Sequence, residues 1–308
     1  MAWSANDIPD QSGKVAVITG ANSGLGFEAS RELACKGATV VMAVRNMDKG
    51  EAAAVRIKAD VPDAELQLRK MDLGSLDSVK AFAARMNDEH DHIDILLNNA
   101  GIMATPAGQT KDGFETQVGT NHFGHFVLTE ELMPLLEAAP AARVVTLTSG
   151  ARVQGQTLTE DRARLTDDYD PWRAYGDSKL ANYQFAIELA RRLEAAGSSV
   201  TSFAAHPGLS HTNLQVATVD NAGTGISGRF WKVTARYVGM SPLRGTLPAL
   251  RAATDPNAQN GEFYGPRWSA RGPAVKLGAD ERRSAEKDTA RMWSVTEAET
   301  GIEFSLGS

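Results

Sequence analysis

The chain has 308 residues, 42% hydrophobic and 23% charged, with 28 Gly and 12 Pro, the profile of an ordinary globular protein with enough chain for a sizeable core. Its 32 basic against 38 acidic residues leave a formal charge of −6, which argues against nucleic-acid binding, and its single cysteine excludes a disulfide framework or a thiolate zinc cluster. No apolar run approaches the ~20 residues of a membrane span, and the opening MAWSANDIPDQSGK has neither a basic start nor an apolar stretch, so a cytoplasmic protein without a secretory leader is expected.

From Lys14 the sequence reads KVAVIT, a β-branched apolar run that predicts a strand buried on both faces. A glycine-rich turn and a helix over 24–36 follow, then a second strand, TVVMAV, over 39–44. Asn46 can cap a helix that ends before Pro62, and 66–71 reads as a weaker third strand. Ser75 opens a helix with Val79, Phe82, Ala83 and Met86 at helical spacing. The fourth strand is expected at 93–97, a long helix at 114–136 and the fifth strand, RVVTLT, at 143–148. A helix over 175–196 leads to a sixth strand at 200–205, a further helix to 243–253, GEFYGP to a seventh strand, and 282–297 to a last helix with Ala285, Ala290 and Trp293 on its buried face. This alternation predicts an α/β fold, a doubly wound parallel sheet of about seven strands with helices on both faces, in one domain. Right-handed crossovers then bring every strand's carboxyl end to one edge, where such sheets bind ligands.

The unusual residues fall on that edge. After the first strand comes TGANSGLG, Thr19 to Gly26, in which Gly20, Asn22, Ser23, Gly24, Leu25 and Gly26 form a turn that lets a pyrophosphate approach backbone N–H groups at a helix start. After the second come Arg45 and Asn46, with Val44 where an acid would bind a ribose 2′-hydroxyl; Arg45 suits a 2′-phosphate, hence NADP(H) ahead of NAD(H). Asp72 follows the third strand and can accept from an adenine amino group, although capping would also explain it. The fourth strand runs into Asn98-Asn99-Ala100-Gly101, a small-residue turn suited to a flat ligand. Tyr175 and Lys179 stand four apart on one helix face, where an ammonium favours the phenolate and lowers the tyrosine pKa. Ser149 ends the fifth strand and Asn121 lies inside the long helix.

Taken together, TGANSGLG, Asp72-Leu73, NNAG, Asn121, Ser149, YGDSK and His206-Pro207-Gly208 with Thr212 resemble the short-chain dehydrogenase/reductase family over about residues 13–215. ANSGLG, AVRN before Lys49-Gly50, and Ser178-Lys179-Leu180-Ala181-Asn182 are most similar to its retinol dehydrogenase-like and protochlorophyllide reductase-related members. The resemblance implies a Rossmann-type fold and an oxidoreductase moving hydride between nicotinamide C4 and a carbonyl or alcohol of a fairly apolar small molecule. Tyr175 would be the acid or base, Ser149 would orient the substrate oxygen, and Lys179 would bind the nicotinamide ribose. Asn121 would hold a relay water. Gly20 to Gly26 would carry the pyrophosphate, Asn99, Ala100 and Gly101 would pack near the adenine-side ribose, and Pro207, Gly208 and Thr212 would position the nicotinamide amide.

The interval from Ser149 to Tyr175 holds the polar excursion TLTEDRARLTDDYDPW, as in the retinol dehydrogenase-like branch, beside the substrate mouth. A substrate lid is expected at about 213–240, and pocket or subunit-interface elements at 242–308, with homo-oligomers common in such a family. No metal is expected: His122, His125 and His206 read as packing residues and Cys35 as a small filler. The alternatives are a non-catalytic NADP(H) sensor, which has no use for an acid–base tyrosine, and a sugar epimerase or dehydratase, whose glycine turn is spaced differently.

Overall fold

The computed structural model describes residues 2–209 and 240–306. Its frame is one eight-stranded sheet in the order β3-β2-β1-β4-β5-β6-β7-β8. The strands are β1 (Val15–Thr19), β2 (Thr39–Val44), β3 (Leu66–Lys70), β4 (Ile95–Asn98), β5 (Arg143–Leu147), β6 (Thr201–Ala205), β7 (Phe263–Pro266) and β8 (Ala274–Leu277). Every pairing from β3 across to β7 is parallel. The order reverses between β1 and β4, so the carboxyl ends of those strands flank the crevice expected to take a ligand.

The strand sequences explain the two-faced burial. Val17, Val41, Leu96 and Val144 join one core cluster, while Ala16, Ile18, Val40, Met42, Ile95, Leu97 and Val145 join the other. Period-two alternation inside all-apolar strands thus feeds two cores. The helices α1 (Gly24–Cys35), α2 (Met47–Asp60) and α9 (Pro242–Thr254) cover the second face. The first is covered by α3 (Leu76–Glu89), α5 (Gly124–Glu131), α6 (Met133–Ala138), α8 (Pro171–Ala195) and α10 (Glu286–Thr300). The caps of α2 and α3 fall where the sequence puts them: Asn46 accepts from the Lys49 N–H and Ser75 from the Ser78 N–H.

Four details differ from the sequence reading. The long helix over 114–136 is segmented: α4 (Thr116–Val118), a π-turn (Gly119–Phe123), α5 and α6 follow in succession. Glu115 sets its start, its carboxylate accepting from the Gln117 and Val118 N–H groups. Helix α8 begins one turn earlier than expected, because Asp170 accepts from the Arg173 N–H and Pro171 is suited to a first helical position. An antiparallel strand, β8, pairs with β7 beyond the expected seven. Finally, α10 buries Thr289, Met292, Trp293 and Thr296; Ala285 only precedes the helix and Ala290 is half-buried.

Trp293 is fully buried and meets Phe126, Phe185 and Phe304 at centroid distances of 5.1, 5.7 and 5.0 Å. This aromatic knot pins the C-terminal helix onto α5 and α8, within the same chain. Cys35 is exposed at the last position of α1, so it fills nothing. The expected lid, apart from Met240, lies outside the described residues, as does Thr212.

Candidate active site

The turn after β1 is built by glycine conformations no other residue adopts easily. Gly20 has φ +66° and Gly24 φ +55°, both left-handed. A Cβ on Gly26 would strike the Gly20 carbonyl and sit 2.6 Å from Asn99 Nδ2, so only glycine lets α1 start this close to β1 and the NNAG turn. Ser23 is the N-cap of α1 but its side chain makes no capping hydrogen bond, which leaves the first-turn N–H groups and the helix dipole to an anion. Asn22, Ser23, Gly24 and Leu25 are half-buried around this mouth.

Thr19 locks the turn to the next one. Its hydroxyl accepts from the Asn99 and Ala100 N–H groups at 2.9 and 2.8 Å, and its carbonyl accepts from Asn99 Nδ2 at 2.7 Å. Asn98 is buried beneath, donating to Thr129 Oγ1 at 3.0 Å. The NNAG segment is therefore held by β1 and by the sheet interior.

Beyond β2, Arg45 and Asn46 are both exposed. Asn46 spends its side-chain oxygen on the α2 cap, while Arg45 pairs with no acid among the described residues. Asp72 accepts from the Gly74 N–H at 3.0 Å, so one oxygen serves the turn. Leu73 is 6% exposed and lies under Gly124, where a Cβ would meet the Leu73 carbonyl at 2.6 Å.

The second group of residues meets where α8 crosses β5 and the π-turn. Tyr175 is 5% exposed, and Lys179 4%, with its Nζ 6.0 Å from the Tyr175 ring centroid. Burial raises the Tyr175 pKa, and the neighbouring Ser149 side chain only partly opposes the rise. This differs from the expected depression by Lys179. The reason is desolvation: the lysine is itself buried, and burial lowers its pKa to about 8. Lys179 Nζ donates to Leu147 O at 3.2 Å, the same carbonyl that takes Asn182 Nδ2 at 3.0 Å. An ammonium has three N–H bonds, and Leu147 uses one.

Asn121 sits in the π-turn, a distortion that recurs at functional sites. Its side chain brackets Ile102, accepting from the Ile102 N–H at 2.8 Å and donating to the Ile102 carbonyl at 2.9 Å; it also donates to Ser178 Oγ at 2.9 Å. A Cβ on Gly101 would lie 3.2 Å from both Asn121 Oδ1 and Lys179 Nζ, so the NNAG turn, Asn121 and Lys179 converge on one point. After β6, Gly208 takes φ +64° and its N–H donates to His206 Nδ1 at 3.3 Å; a Cβ there would meet the Ala270 carbonyl at 2.6 Å. Pro207, half-buried, precedes it.

Sequence reasoning passed over Thr19 as a functional group and missed Trp172. Trp172 is 43% exposed, one helical turn before Tyr175, with ring centroids 6.5 Å apart. The i, i+3 spacing is the signal that would have found it. The excursion between Ser149 and Tyr175 is tied down by Arg162 to Asp177 and by Tyr169, whose hydroxyl donates to Thr105 O at 3.0 Å.

These residues fit a dinucleotide. The uncapped N–H groups at the start of α1 suit a phosphate, Arg45 is exposed after β2 with no acid partner among the described residues, and the buried Lys179 has N–H groups beyond the one on Leu147, as ribose hydroxyls would need. A family model described as short chain dehydrogenase matches residues 14–223. Retinol dehydrogenase 12 of Mus musculus is 37% identical over 294 residues, covering 95% of this chain and 88% of that protein. Retinol dehydrogenase 13 of Homo sapiens is 44% identical over 202 residues, covering 66% of this chain and 60% of its own length. Among solved structures, an uncharacterised protein from Mycobacterium paratuberculosis is 42% identical with a TM-score of 0.82, covering 99% of this chain and 100% of its own. A short chain dehydrogenase from Shigella flexneri complexed with NADP shares the fold at 21% identity and TM-score 0.63, over 84% of this chain and 98% of its own.

Proposed function

Since the chain belongs to the short-chain dehydrogenase family, and so is an oxidoreductase of CH–OH or C=O groups, we propose that it uses NADP(H) on a fairly apolar small carbonyl or alcohol, with Tyr175 as acid or base. One observation carries the reading: a buried phenol beside Ser149, one turn from a buried lysine, on the sheet edge that also bears the glycine turn.

When bound, the nicotinamide supplies or accepts the hydride. The chain's own residues handle the proton and the geometry. The Ser149 hydroxyl holds the substrate oxygen beside the Tyr175 phenol. In reduction Tyr175 gives that oxygen its proton as the carbonyl carbon gains hydride, and in oxidation it takes the proton back. Burial keeps the phenol protonated at neutral pH in the protein alone, which suits the reductive direction. Lys179, with a pKa near 8, binds ribose hydroxyls and can return a proton to the tyrosine. Asn121 fixes the turn beneath them through Ile102. Arg45 pairs with the 2′-phosphate and sets the preference over NAD(H). Trp172, substantially exposed one turn before Tyr175, offers apolar surface near the mouth. Cytoplasmic action is part of the proposal; no helix among the described residues is long and apolar enough to cross a membrane.

The test is a panel of apolar ketones, aldehydes and alcohols followed by nicotinamide absorbance with NADPH and NADH. Turnover of at least one pair, faster with NADPH, is expected. Tight NADPH binding without turnover of any member would favour the sensor reading instead.

A further inference from the structure

Sequence reasoning treats His125 as a packing residue, and its burial, 1% exposed, fits that. Its two ring nitrogens do more. Nδ1 lies 2.9 Å from the Asn121 main-chain carbonyl, which can only accept, so Nδ1 carries the hydrogen. Nε2 is then a lone pair, and the Thr19 hydroxyl donates to it at 2.9 Å in preference to the Leu97 carbonyl, which lies at 3.4 Å. Thr19 is free to do so because both of its own lone pairs are taken, by the Asn99 and Ala100 N–H groups. One tautomer therefore satisfies every donor and acceptor. Desolvation keeps it neutral, lowering the His125 pKa to about 4, with the hydrogen bond to Asn121 opposing and nearby Lys179 adding to the fall.

The bonds form a closed ring. It runs from Asn99 and Ala100 to Thr19, through His125 to Asn121, and back through the Asn121 side chain to Ile102. The segment 99–102 is thereby clamped between the end of β1 and the π-turn. Within it lies Gly101, against Asn121 and Lys179. His125 is the one side chain in the ring that joins the glycine-turn side to the side bearing Tyr175 and Lys179.

Building on the oxidoreductase reading above, we propose that His125 is a positioning residue whose neutral imidazole fixes the end of β1 against the π-turn, so that dinucleotide binding and turnover depend on one rigid unit. A residue that only fills space would affect stability alone. A buried, fully satisfied network has the further property that its members act together rather than additively.

The experiment measures the NADPH Kd by nicotinamide fluorescence, kcat on a carbonyl that the wild type reduces, and Tm, at a temperature where each variant is folded. His125→Phe keeps bulk but cuts the ring; it is expected to raise Kd at least about fivefold and lower kcat at least about tenfold. His125→Gln, whose amide carries one donor and one acceptor, is expected to recover most of both. Thr19→Val combined with His125→Phe is expected to be little worse than Thr19→Val alone. Should His125→Phe fail to fold, His125→Asn, which keeps the donor to Asn121 but cannot reach Thr19, decides the matter by the same Kd and kcat. A lower Tm with Kd and kcat within twofold of wild type, or effects that add independently, overturns the proposal. A wild type that binds no dinucleotide overturns the functional reading and this one with it.

Discussion

The two halves of the cleft are built from different materials. On the β1–α1–β2 side, backbone does most of the work: left-handed glycines, uncapped helix N–H groups and a threonine hydroxyl shape the surface. On the β5–α8 side, buried titratable side chains do it: Tyr175 is pushed up and Lys179 down by desolvation. The contrast teaches a division of labour. A dianionic phosphate group needs many N–H groups fixed in space, which backbone supplies without a desolvation penalty on a charge. Proton transfer needs a side chain that can change its charge state; burial brings Lys179 close to that condition near neutral pH and moves Tyr175 away from it.

Perturbing each half separately should separate binding from turnover. Lys179 belongs to both, so Lys179→Met should show the largest combined loss, turnover down by ~10³-fold and NADPH affinity down by ~10-fold. Preserved affinity in that variant would remove Lys179 from the ribose site. Gly26→Ala forces a Cβ into the Gly20 carbonyl and Asn99, and should weaken NADPH by about 100-fold. Calorimetric titration checks it; normal binding would mean that the turn does not carry the dinucleotide. Arg45→Ala should cost NADPH ~10–100-fold in affinity and NADH about nothing, since a charge-assisted hydrogen bond is lost only with the phosphate. Equal losses for the two would refute the assignment.

A separate expected effect concerns stability and pH. His122, His125 and His206 are buried with pKa values lowered to about 3, 4 and 4. The folded state therefore binds fewer protons than the unfolded one between these values and the ordinary 6.5, so their contribution is full above 6.5 and is lost as pH falls towards 4. Urea midpoints at pH 7 and pH 5 should show the drop. A flat profile would mean that these imidazoles are more hydrated than the fold implies.

How much was legible follows the same line. The strands were readable because β-branched runs such as TVVMAV and RVVTLT have one use in an alternating chain, and the glycine turn because its conformation leaves few residue choices. The π-turn and β8 were not, since AVKL is too short for a period and the ordinary helical pattern runs through 119–123 without a break. Tyr175 and Lys179 were readable as a pair, but the direction of the tyrosine's shift was not. Spacing gives proximity, whereas burial, visible only in the folded chain, decides which charge is disfavoured. His125 shows the limit most clearly: its partner Thr19 is 106 residues away.

The most direct measurement takes one preparation of Tyr175→Phe and determines both its NADPH Kd and its kcat. The account predicts a Kd within about twofold of wild type and a kcat lower by ~10²–10⁴-fold, because the phenol oxygen serves the proton and not the dinucleotide. Unchanged turnover, or a loss of turnover matched by an equal loss of affinity, would contradict it.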